Sequence, residues 1–438
     1  MQTHEYEVRD PIHGMIPFSS LEREVINSPP FQRLRRIRQL SWTDYVYPGA
    51  MHTRFQHTLG VMHTASRAYD AIFSDQRSRE ILSSAFGISE DIVGRQRIII
   101  RLAALVHDLG HSPFSHAGEE LFPTKKYKTD KNERPEKSVY KRYDHEEYSV
   151  GIFEHCIFPY IANHKDIASR SIGIREITGL IDKSPQNPLG ALCKDIISGR
   201  MDADRMDYLL RDSYYCGVRY GHYEFDRLLN TICVCEDSED GTPLIGIRED
   251  GLHAVEGLLI ARYMMFHNVY YHKTRVIYDY HYRESLAEML GKAGVFPKPT
   301  TKSDLNKYLK WDDWKVQGIL ASGGGGVHGS ILRERNHYRL VHQTSESFES
   351  EEQKTRDFEE FDAVAALADQ NESHIWSENK SFSADIPVAV ERAGKVVTKP
   401  LLELSGVVKS LRPLNQKRLY VAQSVADSFS ARIQPLVK

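Results

Sequence analysis

No run of about 18 apolar residues occurs anywhere in this chain of 438, which argues against a membrane-spanning helix. A secretory leader is not expected either, because MQTHEYEVRDPIHG has no basic region followed by an apolar stretch. Cysteine is scarce. Cys156, Cys193, Cys216, Cys233 and Cys235 are odd in number and scattered. Cys233 and Cys235 merely alternate within ICVCE, so neither a disulfide framework nor a zinc-type cysteine cluster is predicted. A reducing, cytoplasmic setting fits that pattern. Charge of one sign is also missing: the formal net charge is −3, so there is no global attraction for nucleic acid, and an anionic ligand needs a local basic site. The glycine run SGGGGVHGS (322–330) has no Lys-Ser or Lys-Thr after it, so it reads as a turn rather than a P-loop. No internal repeat is apparent.

What remains is the composition of an ordinary soluble globular protein, 41% hydrophobic and 27% charged, and a mainly helical pattern over the first 295 residues. FQRLRRIRQL carries an apolar stripe at Phe31, Leu34 and Ile37 and predicts a helix with a basic second face. Helices are also predicted over 52–72, over the buried stretch RQRIIIRLAALVHDL, from an N-cap at Asp144, over MDADRMDYLLRDSYY, and along GLHAVEGLLIARYMMFHNVYYHK towards YRESLAEML. ICVCE and PLIGIRE, separated by DSEDGT, predict a hairpin. The basic stretch PTKKYKTDKNERPEKSVYKRY (123–143) reads as a solvated loop, since a nucleic-acid patch needs aromatics better interleaved with its charges. The expected organisation is a catalytic core over 1–295, a variable polar segment over 296–375 and a small α+β element over 376–438.

One short stretch concentrates chemistry. LVHDLGHSPFSH (105–116) places His107, Asp108, His111 and His116 directly after an apolar helical run. With His57 in HTRFQHTLG and Asp204 in MDADRMDY, two imidazoles and two carboxylates on three segments suit a divalent ion, Mn, Fe, Mg, Ni or Zn, with positions left for water and substrate. Any one of these residues alone is more often structural, but an adjacent His-Asp where a buried helix ends, with two further histidines close behind, points to metal. Phosphoester hydrolysis is the natural chemistry of such a site.

VRDPIHG, SPPFQRLRRIRQL, YPGAMHTRFQHTLG, HDLGHSPFSH, DHE (144–146), DADRMDYLLRD and YYHK together resemble, in order, the HD-domain deoxynucleoside triphosphate triphosphohydrolases, bacterial dGTPase-like enzymes and the catalytic core of the vertebrate SAM-and-HD-domain enzyme among them. The resemblance spans about residues 6–290. It implies a mainly α HD-domain metallohydrolase core with a small α+β C-terminal region, and a reaction that releases deoxynucleoside and inorganic triphosphate. It implies His57, His107, Asp108 and Asp204 as metal ligands, and His111, His116 and His145 as catalytic histidines. Arg54 would contact the α-phosphate, and Glu119 would orient His116, the general acid for the leaving 5′-oxygen. Gln39, Tyr208 and Asp212 would read the sugar 3′-hydroxyl, and Tyr270 would pack against C2′. Arg205, Arg262 and Lys273 would bind phosphates.

The resemblance further implies a nucleotide activator bound near Asn27 and Arg35, and a homo-oligomer, a tetramer or hexamer. A dNTP-pool-depleting role such as antiviral defence against phage is compatible with it. Two departures stand out. Phe266 occupies the place of a histidine in the vertebrate enzyme, and His267 beside it faces another direction on a helix. Asn27 replaces an aspartate that reads guanine; an amide has one acceptor oxygen where a carboxylate accepts two hydrogen bonds, so an activator not restricted to GTP is expected. Two rival readings follow from the residues. One is a phosphodiesterase or nuclease acting on single-stranded nucleic acid or a cyclic nucleotide. The other is a nucleotide-sensing subunit without activity, which would be expected to have lost a ligand or the general acid.

Overall fold

The computed structural model describes residues 5–127, 139–382 and 385–435. It is mainly α-helical, with a small α+β region at the C-terminal end. Six helices build the site: α1 (Arg54–Ser74), α2 (Glu90–Val106), α3 (His145–Ile152), α4 (Ala203–Cys216), α5 (Leu252–Met265) and α6 (Lys273–Met289). Their starts follow local chemistry. Ser89 accepts from the Ile92 N–H, Asp144 from the Glu147 N–H and Asp202 from the Arg205 N–H, each satisfying an amide that the first turn leaves unpaired.

The central element is α2. From Ile98 to Val106 every residue is buried, and α1 packs along it while α4 packs on α1. Each fully buried Ile or Leu there contributes about 1.5–3 kcal/mol by leaving water. Where the apolar run stops, the helix stops, and HDLGH turns across its end. The carbonyls of that turn are not left bare: Ser149 donates to the His107 carbonyl (2.5 Å), and Arg33, itself buried, donates to the Leu109 and His111 carbonyls (3.4 and 3.0 Å).

Two predicted helices are interrupted. FQRLRRIRQL is helical only to Arg36; Ile37 is extended, and Arg38 bridges Thr53 while its N–H donates to Asp313 (2.8 Å). Tertiary hydrogen bonds thus replace the next helical turn. The long pattern from Leu252 breaks at Phe266–Tyr270, a π-helical turn, before α6 resumes at Lys273. The extra residue of that turn brings both Phe266 and Tyr270 to the cleft described below.

The ICVCE hairpin forms as predicted, Ile232–Glu236 antiparallel to Pro243–Arg248. It is extended by strands from far along the chain: Pro387–Arg392 pairs parallel to Pro243–Arg248, and Lys395–Pro400 forms the edge. A second sheet has Leu414–Val421 between Arg339–Gln343 and Ser373–Lys380. Most apolar side chains from Ile16 to Tyr420 form one core, with a smaller cluster around Phe361, Leu419 and Phe429. The glycine run is a turn in which Gly323, Gly325 and Gly326 have positive φ. All five cysteines are buried free thiols, and no helix among the described residues is long and apolar enough to cross a membrane. Of the basic stretch 123–143, the ends pair as Thr124–Tyr127 with Val139–Arg142, and residues 128–138 lie outside the described ones.

Gly60 on α1 shows how tightly the helices meet. A Cβ there would collide with the Asp207 carboxylate and the Arg211 guanidinium of α4. Gly60→Ala is expected to cost about 1–3 kcal/mol by overpacking, read as a lower unfolding midpoint in thermal or denaturant melts.

Candidate active site

Three segments converge beneath a cleft of about 540 Å³. The first turn of α1 supplies Arg54 and His57, the end of α2 supplies His107 and Asp108, and the first turn of α4 supplies Asp204. Each imidazole commits Nδ1 to a fixed acceptor: His57 to Asp207 Oδ2 (2.8 Å) and His107 to the Ala104 carbonyl (2.7 Å). That choice leaves both Nε2 atoms buried, without a hydrogen-bond partner, and facing carboxylates. His57 Nε2 lies 2.9 Å from Asp204 Oδ1, and His107 Nε2 lies 3.2 Å from Asp108 Oδ1. Burial opposes a charge on His57, but hydrogen bonding and attraction from Asp204 and Asp207 raise it to about 10. A buried point with two aimed imidazole nitrogens and excess negative charge fits a divalent cation, and these four residues would hold it.

The residues behind the ligands are a part that sequence reasoning missed. Asp207 accepts from His57, from His13 Nε2 (2.7 Å) and from Arg211 Nε (2.8 Å), and Arg211 also donates to Asp10 (2.8 Å). All five side chains are almost completely buried. Asp207 and Arg211 share a helix face at i and i+4, and Asp10 and His13 stand in RDPIHG, so the signal was in motifs already singled out. On the other side Arg54 donates to Asp108 Oδ2 (2.6 Å) and Ser115 Oγ (2.8 Å). Despite burial, its guanidinium helps hold Asp108 well below the usual carboxylate range.

Beside the metal cluster Glu119 gathers three histidines. Its oxygens lie 2.6 Å from His111 Nδ1, 3.2 Å from His116 Nδ1 and 3.2 Å from His145 Nδ1. His111 and His145 stack at 3.9 Å. Burial, with Arg54 and His145 nearby, pushes His111 down to about 3, so it is neutral. Burial also opposes charge on His145, yet the Glu119 carboxylate lifts it to about 9. Glu119 itself stays well below its ordinary value, against burial, through His145, His116 and His111. Glu119, expected to orient His116 alone, is thus a carboxylate shared by three histidines.

The far wall holds the remaining residues. Asp212 accepts from Tyr270 Oη (2.7 Å) and lies 2.7 Å from His52 Nε2, while Tyr208 meets Tyr270 edge to face. Gln39 lines the cleft with its amide oxygen buried and unpartnered. Arg205 lines the cleft, whereas Arg262 lines an adjoining cavity. Lys273 is not brought in: it is exposed at the start of α6, and Arg275, two residues on, lines the wall instead. Asn27 lines a separate cavity of about 810 Å³, and Arg35 stacks on Phe55 with its guanidinium carbon 3.4 Å from the ring centre. Arg275 and Lys380 at the cleft, and His52 behind Asp212, were missed because only the tertiary fold brings them there.

Comparison with known proteins agrees with this arrangement. Residues 54–212 match the HD domain, and residues 224–433 match the HD associated region. An uncharacterized protein of Bacillus subtilis, YwfO, is 34% identical over 60% of this chain and 51% of its own length. The deoxynucleoside triphosphate triphosphohydrolase SAMHD1 of Bos taurus is 28% identical over 96% of this chain and 70% of its own. The crystal structure of a hypothetical protein from Aquifex aeolicus superposes with a TM-score of 0.73 at 27% identity, covering 98% of this chain and 100% of that one. The chain spans about half the length of several curated relatives it matches, YwfO among them.

Asp207→Asn keeps the shape but weakens the grip on His57, and a 10- to 100-fold loss of divalent-metal affinity is expected by calorimetric titration, on the order of other such supporting carboxylates. Glu119→Gln should lower the His145 pKa from about 9 by about a unit or more, followed by imidazole NMR titration. The stability linkage has a definite sign. The His145 contribution is fully present below its unfolded pKa of about 6.5 and is lost as pH rises through about 9; that of Glu119 is present above about 4.5 and lost as pH falls. The wild type should therefore lose its advantage over Glu119→Gln at both extremes.

Proposed function

This chain belongs to the HD-domain family, with an HD domain followed by the HD associated region, and from that premise we propose that it hydrolyses deoxynucleoside triphosphates to deoxynucleoside and inorganic triphosphate. The observation that carries the proposal is the cleft's division: a negative end with two aimed imidazoles on one side, arginine nitrogens without hydrogen-bond partners on the other, and Tyr208, Tyr270 and Asp212 in its wall. A divalent ion at the four ligands supplies activation of water and polarisation of a phosphoryl oxygen. Arg54, fixed by Asp108 and Ser115, presents a charge beside the α-phosphate. Arg205 and Arg262 offset negative charge along the phosphate chain, largely by being placed in advance. His116, the most exposed of the three histidines, gives a proton to the departing 5′-oxygen, while Glu119 fixes its Nδ1 side. Asp212, held by Tyr270 and His52, offers its carboxylate to the sugar 3′-hydroxyl, and the Tyr270 ring closes the C2′ side.

The same reading makes the working protein a cytoplasmic homo-oligomer, tetramer or hexamer, with a nucleotide activator at a site that includes Asn27 and Arg35. The five unpaired thiols support the cytoplasmic setting. A nuclease reading rests on the basic stretch 123–143, and Tyr208, Asp212 and Tyr270 gathered in the cleft, which suit a pocket enclosing one deoxyribose, speak against it.

One assay separates these readings. Product analysis with each of the four dNTPs, ATP and GTP, singly and in pairs, with Mg or Mn, is expected to yield triphosphate and deoxynucleoside. His107→Ala or Asp108→Ala should abolish both products, and nucleotides besides GTP should serve as activators. Mononucleotides released from single-stranded DNA, with every dNTP intact, would move the assignment to a nuclease.

A further inference from the structure

Positive charge is crowded on one side of the cleft. Lys380, the last residue of the Ser373–Lys380 strand, lines the cleft together with Arg205. Behind Arg205 lies a second cavity of about 420 Å³, lined by Arg200, Arg205 and Arg262 among others. Arg205 faces both spaces and so forms their shared wall. The Nε atoms of Arg205 and Arg262 are buried without a hydrogen-bond partner, although Arg205 also donates to the Gly199 and Arg200 carbonyls. The nearby acids are Asp202, 3.7 Å from Arg205, and Asp385, 3.9 Å from Arg200, with Asp204 also acting on Arg205 and Glu378 on Lys380.

One ring organises two of these cations. The Arg262 guanidinium carbon lies 5.4 Å and the Lys380 ammonium 5.2 Å from the centre of Phe266. The ring's π-system attracts each of them. Burial pushes the Lys380 pKa down, Arg262 and Arg205 add to that, and Glu378 opposes it in part. Such a group of partly desolvated like charges is stabilised by a ligand carrying several negative charges close together. Phe266 brings no charge where the resemblance implies a histidine in the vertebrate enzyme, but it provides the surface on which a lysine from the C-terminal region rests.

We infer that Lys380 is a substrate-binding residue, which grips the distal phosphates of a nucleoside triphosphate and so makes the HD associated region a reader of phosphate-chain length. The inference rests on the dNTP reading for its natural ligand, while the built site itself calls only for a linear polyphosphate. A monophosphate held at the metal end would not extend far enough along the row to use Lys380; a triphosphate passes Arg205 and reaches the ammonium and Arg262. This also explains why a strand from the C-terminal region is fitted against the cleft of the preceding helical core.

The test compares wild type, Lys380→Ala, Lys380→Arg and, as a control, Lys399→Ala, an exposed lysine on a strand of the other sheet. Binding of inorganic tripolyphosphate and of orthophosphate is measured by calorimetry on the full chain, with melting curves to verify folding. Loss of one charge-assisted contact is expected to weaken tripolyphosphate binding about 10- to 100-fold in Lys380→Ala, with orthophosphate binding little changed and partial recovery in Lys380→Arg. KM for a dNTP should rise in parallel while kcat changes little. Equal tripolyphosphate affinity in wild type and Lys380→Ala would overturn the inference. Should the wild type leave every dNTP intact, the proposed function falls, and the tripolyphosphate comparison still decides the role of Lys380.

Discussion

The buried Asp207 carboxylate is the interaction on which the rest of the site depends. It receives His57 from α1, His13 from the N-terminal turn and Arg211 from its own helix, and Arg211 ties in Asp10. Charges this deep are tolerated only when each has its partner, because an unpaired one costs several kcal/mol. The network therefore admits few arrangements of the three segments it joins. One consequence is chemical: with Nδ1 of His57 committed, its Nε2 is the nitrogen that faces Asp204 and Asp108. Another is steric, since Gly60 leaves the space into which Asp207 and Arg211 fit.

From that anchor the cleft acquires an electrical direction. At one end carboxylates exceed cations around the two imidazoles, a place for a metal ion. At the other, Arg205, Arg262 and Lys380 gather around the cleft and its adjoining cavity, the end proposed to take phosphates. Between them Glu119 contacts three histidines, two of which differ in protonation: His111 is driven neutral by burial and cations, while His145 keeps its proton to about 9 beside the carboxylate. The difference arises from position alone, since the side chains are the same. A polarised cleft with proton-holding groups at its midpoint is suited to breaking a phosphoester whose leaving side must be protonated.

The turn that carries His107, Asp108 and His111 shows how stability and chemistry share residues. It follows the most completely buried helix, so its start is held by packing. Its carbonyls are taken by Ser149 from α3 and by Arg33, whose third donor reaches the Trp311 carbonyl (2.8 Å). Gly110 sits where a Cβ would strike the His145 carbonyl and the Ser149 amide, which lets α3 approach closely enough to deliver His145.

The sequence by itself determined the local parts: the helices with their caps, the ICVCE hairpin, and a ligand set recognisable because histidine and aspartate cluster where an apolar run ends. These depend on neighbours a few residues apart, so spacing reveals them. Tertiary structure decided what depends on distant partners. The helix expected through Gln39 ends at Arg36 because Asp313 and Thr53 capture the backbone beyond it. A π-turn redirects Phe266 and Tyr270 together. Arg275 rather than Lys273 faces the cleft, and Lys380 arrives from a strand more than a hundred residues after the last predicted contact, a contribution no periodicity records because its cause is the meeting of two surfaces.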